Sequence, residues 1–248
     1  MKTVKLTAIG MLAINSLTLG GTAIAADEKT RDVQAQVEFV EATDPVDPVD
    51  PLNPEKPVKP VDPVDPEKPV DPGTSGPLSL DYASSLNFGK QKITTDNEIY
   101  YAKPQNVEVS KGVFEDKPLY AQITDGRGTL KGWTLSVSQK AQFKTDKGDE
   151  LEGAVIRFTN GEQASVSLAK PPSVVKSVIN VTGKLKGESS KVMAAKEGEA
   201  GGTYVYRLGN DKTKESSVAL EIPGDTVKKK AIYSTTLIWT LNDTPEPK

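Results

Sequence analysis

From residue 45 to residue 72 every third position is proline: 45, 48, 51, 54, 57, 60, 63, 66, 69 and 72. That spacing matches the three residues per turn of polyproline II, so the rings stack along one edge and Asp, Val, Glu and Lys take the other two. Ten of the 18 prolines lie in this run. It cannot supply a hydrophobic core, and at roughly 3.1 Å per residue it would reach about 87 Å as a semi-rigid spacer. Residues 41–76 hold nine acids and three lysines, net −6, and like charge favours extension. The reading is therefore an acidic, extended linker over 41–76. A Pro-rich ligand for a recognition domain is the weaker alternative.

The rest of the chain divides around that spacer. Residues 1–25 open on Met1-Lys2-Thr3-Val4-Lys5, run through an apolar stretch and end on Ala23-Ile24-Ala25. This is the pattern of a secretory signal peptide, cleaved between Ala25 and Ala26. The apolar stretch is shorter than the roughly 20 residues a spanning helix needs. No membrane anchor is expected in the mature form, and the protein is expected outside the cell. Residues 26–40 form a short segment whose alternation of Val33, Ala35, Val37 and Phe39 is too brief to assign as a strand.

Residues 77–248 are globular in composition and carry 24 Lys and Arg against 21 Asp and Glu. A net +3 is too sparse for nucleic-acid binding by charge. The chain has neither cysteine nor histidine, which excludes disulfides, Cys/His zinc sites and every nucleophile that depends on imidazole or thiolate. Paired carboxylates could run glycoside hydrolysis, but nothing singles out a pair, so no enzyme is expected. Asp149, Glu150 and Glu152 cluster without the spaced oxygen ligands of a calcium loop. Neither metal nor cofactor is expected.

Short alternating segments recur through 77–248: Leu78-Ser79-Leu80-Asp81-Tyr82, residues 106–109, Trp133-Thr134-Leu135-Ser136-Val137-Ser138, residues 154–158, 164–168, 203–208, 217–222 and 233–241. Period-two patterning with β-branched and aromatic residues between turn signals argues for an all-β domain, an antiparallel sandwich or barrel. Residues 184–202 break the pattern and read as a long loop with one helical turn.

The chain's two tryptophans each open the same tripeptide, Trp133-Thr134-Leu135 and Trp239-Thr240-Leu241. In a strand, Trp and Leu two apart share a face and the Thr between them points away. Together with Leu78-Ser79-Leu80-Asp81-Tyr82, Leu86-Asn87-Phe88-Gly89, Ser217-Val218-Ala219-Leu220-Glu221-Ile222-Pro223-Gly224 and the run from Tyr233 to Pro245, this resembles the WxL family of Gram-positive surface proteins over about residues 78–245. The resemblance implies a cell-wall-attached protein whose C-terminal domain binds peptidoglycan non-covalently and acts with other surface proteins. Tyr204 stands where relatives are expected to carry Trp.

The candidate binding residues are thus Trp133, Thr134, Leu135, Trp239, Thr240 and Leu241, with Tyr204 and the basic run Lys228-Lys229-Lys230 as accessories toward peptidoglycan or a phosphate-bearing wall polymer. Two roles stand open for the tryptophans. An exposed aromatic surface would pack on sugar faces or a protein partner; a buried one would build the core, as same-face Val137 and Leu237 suggest. An adhesin that uses the wall only as an anchor is the rival function, disfavoured because about 172 residues leave little room for two independent sites.

Overall fold

Side chains alternate across a pleat, and the burial of Trp133–Gln139 largely follows this: Trp133, Leu135 and Val137 are fully buried, while on the other face Thr134 and Ser138 are partly open and Ser136 is covered. The computed structural model describes residues 30–183 and 188–244. The signal-peptide cleavage point at Ala25 and Ala26 lies outside the described residues. The chain separates into a unit of residues 1–38 and one of 39–248. In the first, residues 30–38 are exposed and form no strand.

The second unit is all-β, with no helix among the described residues and every strand pairing antiparallel. One four-stranded sheet runs Val174–Val175, Ser189–Ala195, Trp133–Gln139, Leu237–Asn242; a second runs Gly161–Ala164, Gly202–Leu208, Leu119–Asp125, Leu78–Ala83. A third runs Ile179–Val181, Val155–Phe158, Val218–Ile222, Glu98–Tyr101. A three-stranded sheet of Lys59–Pro60, Gln105–Ser110 and Val113–Lys117 and a hairpin of Val49–Asp50 with Asn53–Pro57 complete the set.

The expected sandwich is not what forms. The sheets are set like the blades of a four-bladed propeller rather than as two facing layers. The physical reason lies in how the core is shared. Trp133, Leu135 and Met193 from the first sheet, Ile123, Tyr204 and Tyr206 from the second, and Ile156, Phe158 and Leu220 from the third all enter one buried cluster. Three four-stranded sheets thus share one core, where a sandwich would have two layers facing each other.

Residues 184–202 also differ from expectation. Ser189–Ala195 is a seven-residue strand paired with Trp133–Gln139, and its Val192, Met193, Ala194 and Ala195 are all buried. A strand covered on both faces reads as a continuous apolar run rather than an alternation, which is why the pattern missed it. In contrast, of the expected strand over 164–168 only Ala164 pairs; Val166 and Leu168 stand exposed. Ser165 and Ser167 instead donate their hydroxyls to the carbonyls of Thr203 and Gly201, each at 2.6 Å.

The proline run departs furthest from a free spacer. Asp50 and Val58 are each 5% exposed, Lys59–Pro60 pairs with Gln105–Ser110, and Val49 and Val70 pack against Tyr82, Tyr120 and Val205. Residues 47–63 are seated on the domain as a strap. Proline tolerates this because a sheet edge and a hairpin leave positions where no N–H is required.

Candidate functional site: the paired tryptophan strands

The two Trp-Thr-Leu segments are next-door neighbours. Leu237–Asn242 pairs antiparallel with Trp133–Gln139, so that Trp239 faces Val137, Leu241 faces Leu135 and Asn242 faces Thr134. Leu237, Trp239 and Leu241 turn inward against the same core cluster while Ile238, Thr240 and Asn242 are exposed. Directly opposed apolar residues on one face contribute about 0.2–1 kcal/mol per pair beyond Ala–Ala.

Trp133 is fully buried. Its indole Nε1–H donates to the Ala200 carbonyl at 3.1 Å, and its ring lies 6.3 Å from that of Tyr204, tilted by 56°. Tyr204, itself buried, donates its hydroxyl to the Ala169 carbonyl at 3.3 Å. A Trp or Tyr taken into a core needs such a partner for its polar atom. Two backbone features hold the indole there. Gly132 sits at φ +80, and a Cβ on it would run into the Ala195 carbonyl oxygen and come within 2.8 Å of the Lys196 carbonyl carbon. Ala200 adopts φ 53, unusual for a residue with a side chain, and this aims its carbonyl at the tryptophan.

The loop that carries Ala200 is fastened by Glu199, whose carboxylate is almost wholly buried. Its Oε2 accepts the backbone N–H groups of Ser173 and Lys196, each at 2.9 Å, and Lys170 Nζ stands 2.9 Å from Oε1. Burial alone would raise this carboxyl; the hydrogen bonds from Lys196, Lys170 and Ser173 outweigh it and pull the pKa down to about 2.

Trp239 is half-buried. Its ring stacks on Phe158 at 6.3 Å with 15° between planes and meets Tyr206 at 6.5 Å, tilted by 58°. Thr134 donates its hydroxyl to the Thr244 carbonyl at 2.9 Å, tying down the end of the last strand. Of the six motif residues, then, only Thr240 is freely exposed; Trp133 and Leu135 are sealed in the core, and Thr134, Trp239 and Leu241 are partly covered.

The basic run does not join this site as three free cations. Lys228 Nζ donates to the carbonyls of Pro223, Thr226 and Gly224 at 3.0, 3.2 and 3.4 Å, closing its own turn. Lys229 pairs with Asp149, whose carboxyl it holds below the usual range by hydrogen bond and charge. Lys230 is exposed. Among the described residues no three acidic side chains come together to hold a metal ion, and no helix is long and apolar enough to cross a membrane.

Two inward-facing Trp-Leu pairs on adjacent strands are a specific arrangement, and a family model for the WxL domain, described as surface cell wall-binding, matches residues 26–245. The chain belongs to the WxL domain family. No curated protein and no solved structure matches it. WxL membership gives the chain a wall-binding role at the cell surface.

Sequence reasoning missed the residues that receive the strap. Gln105, Lys117, Gln122 and Arg207 all bond to it. The available signal was a glutamine inside the apolar run Leu119-Tyr120-Ala121-Gln122-Ile123, since a glutamine in a doubly covered strand must have partners.

Proposed function

We propose that this WxL protein is exported and holds to the Gram-positive wall non-covalently through its β unit, with peptidoglycan or an associated wall polymer as ligand, beside other surface proteins. The family match over residues 26–245 is the observation that carries this reading. The paired motifs serve it by shaping the domain: the burial of Trp133 and Leu135 supports a structural role for the first motif and leaves contact with the wall to outward-facing side chains.

The test is co-sedimentation of the purified protein with three solids: purified peptidoglycan, peptidoglycan still bearing its attached polymers, and cells stripped of surface proteins. Binding to the first makes peptidoglycan the direct ligand. Binding to the second alone assigns the attached polymer, and failure on all three while the protein remains folded rejects direct wall binding.

A further inference from the structure

The strap is bound by side chains that address features repeated along it. Gln122, fully buried, accepts the Val49 N–H on Oε1 at 2.8 Å and donates from Nε2 to the Asp47 carbonyl at 3.1 Å, so one amide grips both sides of Pro48. Its orientation is set from behind, because Nε2 also donates to the buried carboxylate of Asp81 at 3.0 Å. Gln105, equally buried, donates to the Val61 carbonyl at 2.7 Å while its Oε1 accepts the Tyr82 hydroxyl at 2.7 Å. Lys117 Nζ meets the Asp50 carboxylate at 2.8 Å with both side chains nearly buried, and Arg207 donates to the Pro51 carbonyl at 3.3 Å.

The seat thus reads backbone carbonyls, one N–H, one carboxylate and one valine. The strap offers these more than once. Asp-Pro-Val occurs at 44–46, 47–49 and 62–64, and Asp-Pro-Leu at 50–52. The local turn repeats as well: Asp50 Oδ1 accepts the N–H of Leu52 and Asn53, and Asp62 Oδ1 accepts those of Val64 and Asp65. Sliding the chain by one triplet so that Asp47 takes the place of Asp50 keeps a carboxylate before Lys117 and an Asp-Pro-Val before Gln122, whereas the opposite slide brings Asn53 to Lys117.

From this we propose that the seat is a binding site for extended Asp-Pro-x repeats, and that its exchange ligand is the strap of a second copy of this chain. The strap carries its own hairpin and turns with it, and its contacts with Gln105, Lys117, Gln122 and Arg207 are between strap and seat, so a strap from a neighbour forms the same contacts as the chain's own. Such exchange of an identical element joins protomers at small cost. The chain's own strap has the advantage of an effective concentration in the millimolar range, which confines exchange to crowded protein.

The absence of native cysteine makes the test direct. Lys59 on the strap stands opposite Glu108 on the seat in the strand ladder, within reach of a disulfide after small adjustment. The secreted chain is made in two lengths of tag, one carrying Lys59→Cys and the other Glu108→Cys, with a double variant as control. Under mild oxidation the double variant is expected to close within one chain when dilute. The mixed single variants are expected to give a disulfide heterodimer well above either homodimer, increasing with concentration. Introducing Lys117→Glu into the seat partner should reduce that heterodimer severalfold, and adding Asp50→Lys to the strap partner should restore it. Closure of the double variant without heterodimer in the mixture overturns exchange; failure of the double variant to close overturns the seat itself; a heterodimer indifferent to the charge pair overturns recognition by these residues.

Discussion

Leu241 lies directly across the ladder from Leu135, so the third residue of one Trp-Thr-Leu segment packs beside the third residue of the other. Antiparallel pairing in this register also puts Trp239 beside Val137 and leaves Trp133 at the far end, under the Ala200 loop. The two tryptophans are therefore unequal, and their substitutions should separate.

Trp133→Ala should cost about 3–5 kcal/mol, the usual range for emptying a buried aromatic site, and it also strands the Ala200 carbonyl. Trp239→Ala, at a half-buried position, should cost less. Urea unfolding of both variants measures the difference; equal losses would contradict the assigned burial.

Gly132→Ala should destabilise strongly, because the added methyl meets backbone on the neighbouring strand at a φ of +80 and strained φ alone costs about 1–3 kcal/mol. Gly112, also at positive φ but with nothing within 4 Å of an added Cβ, is the control. Thermal unfolding should show the Gly132 variant well below the Gly112→Ala variant.

Glu199 gives a pH signature. Its folded pKa of about 2 lies below the ordinary glutamate value of 4.5, so its contribution is fully present above the unfolded pKa and drains away as pH falls from about 4.5 toward 2. Glu199→Gln should lower stability at neutral pH by about 1–3 kcal/mol, the cost of weakening charged hydrogen bonds, and should flatten the decline of stability across that acid window. Unfolding midpoints at pH 7, 4 and 2.5 for both proteins check the sign.

The seated strap predicts slow amide exchange where a free polyproline spacer would exchange at once. Val49, Val58 and Val61 donate their N–H groups to Gln122, Pro48 and Asn106. Hydrogen exchange should find these three protected and Val33 and Val37, in the exposed segment, unprotected. Gln122→Ala should remove protection at Val49.

Much of the fold was legible where apolar and polar residues alternate in sequence. Leu78–Ala83 and Trp133–Gln139 carry that alternation even though Ser79, Asp81 and Ser136 are buried as well, and the pairing of two tryptophans with two leucines pointed to the family. Leu119–Asp125 and Ser189–Ala195 were not legible, because sheets cover both of their faces and their sequences lose the period of two. Composition also misdirected the reading of the proline run. Polyproline geometry predicts an extended backbone, and the strap is extended; what composition cannot convey is that Gln105, Gln122 and Lys117, 44 to 75 residues downstream of their strap partners, supply a surface for it. Each motif was legible as a strand with Trp and Leu on one face, while the choice between contact and core rested on partners such as Ala200 that no local pattern indicates.

In the function proposed above, the paired motifs act by holding the wall-binding unit in shape. Co-sedimentation with purified wall, measured for wild type, Leu135→Ala, Trp133→Phe and Trp239→Phe alongside the folded fraction of each, is the decisive test. Binding should fall only as the folded fraction falls, with every folded molecule binding like wild type. A fully folded Trp133→Phe protein that no longer sediments with the wall would contradict it.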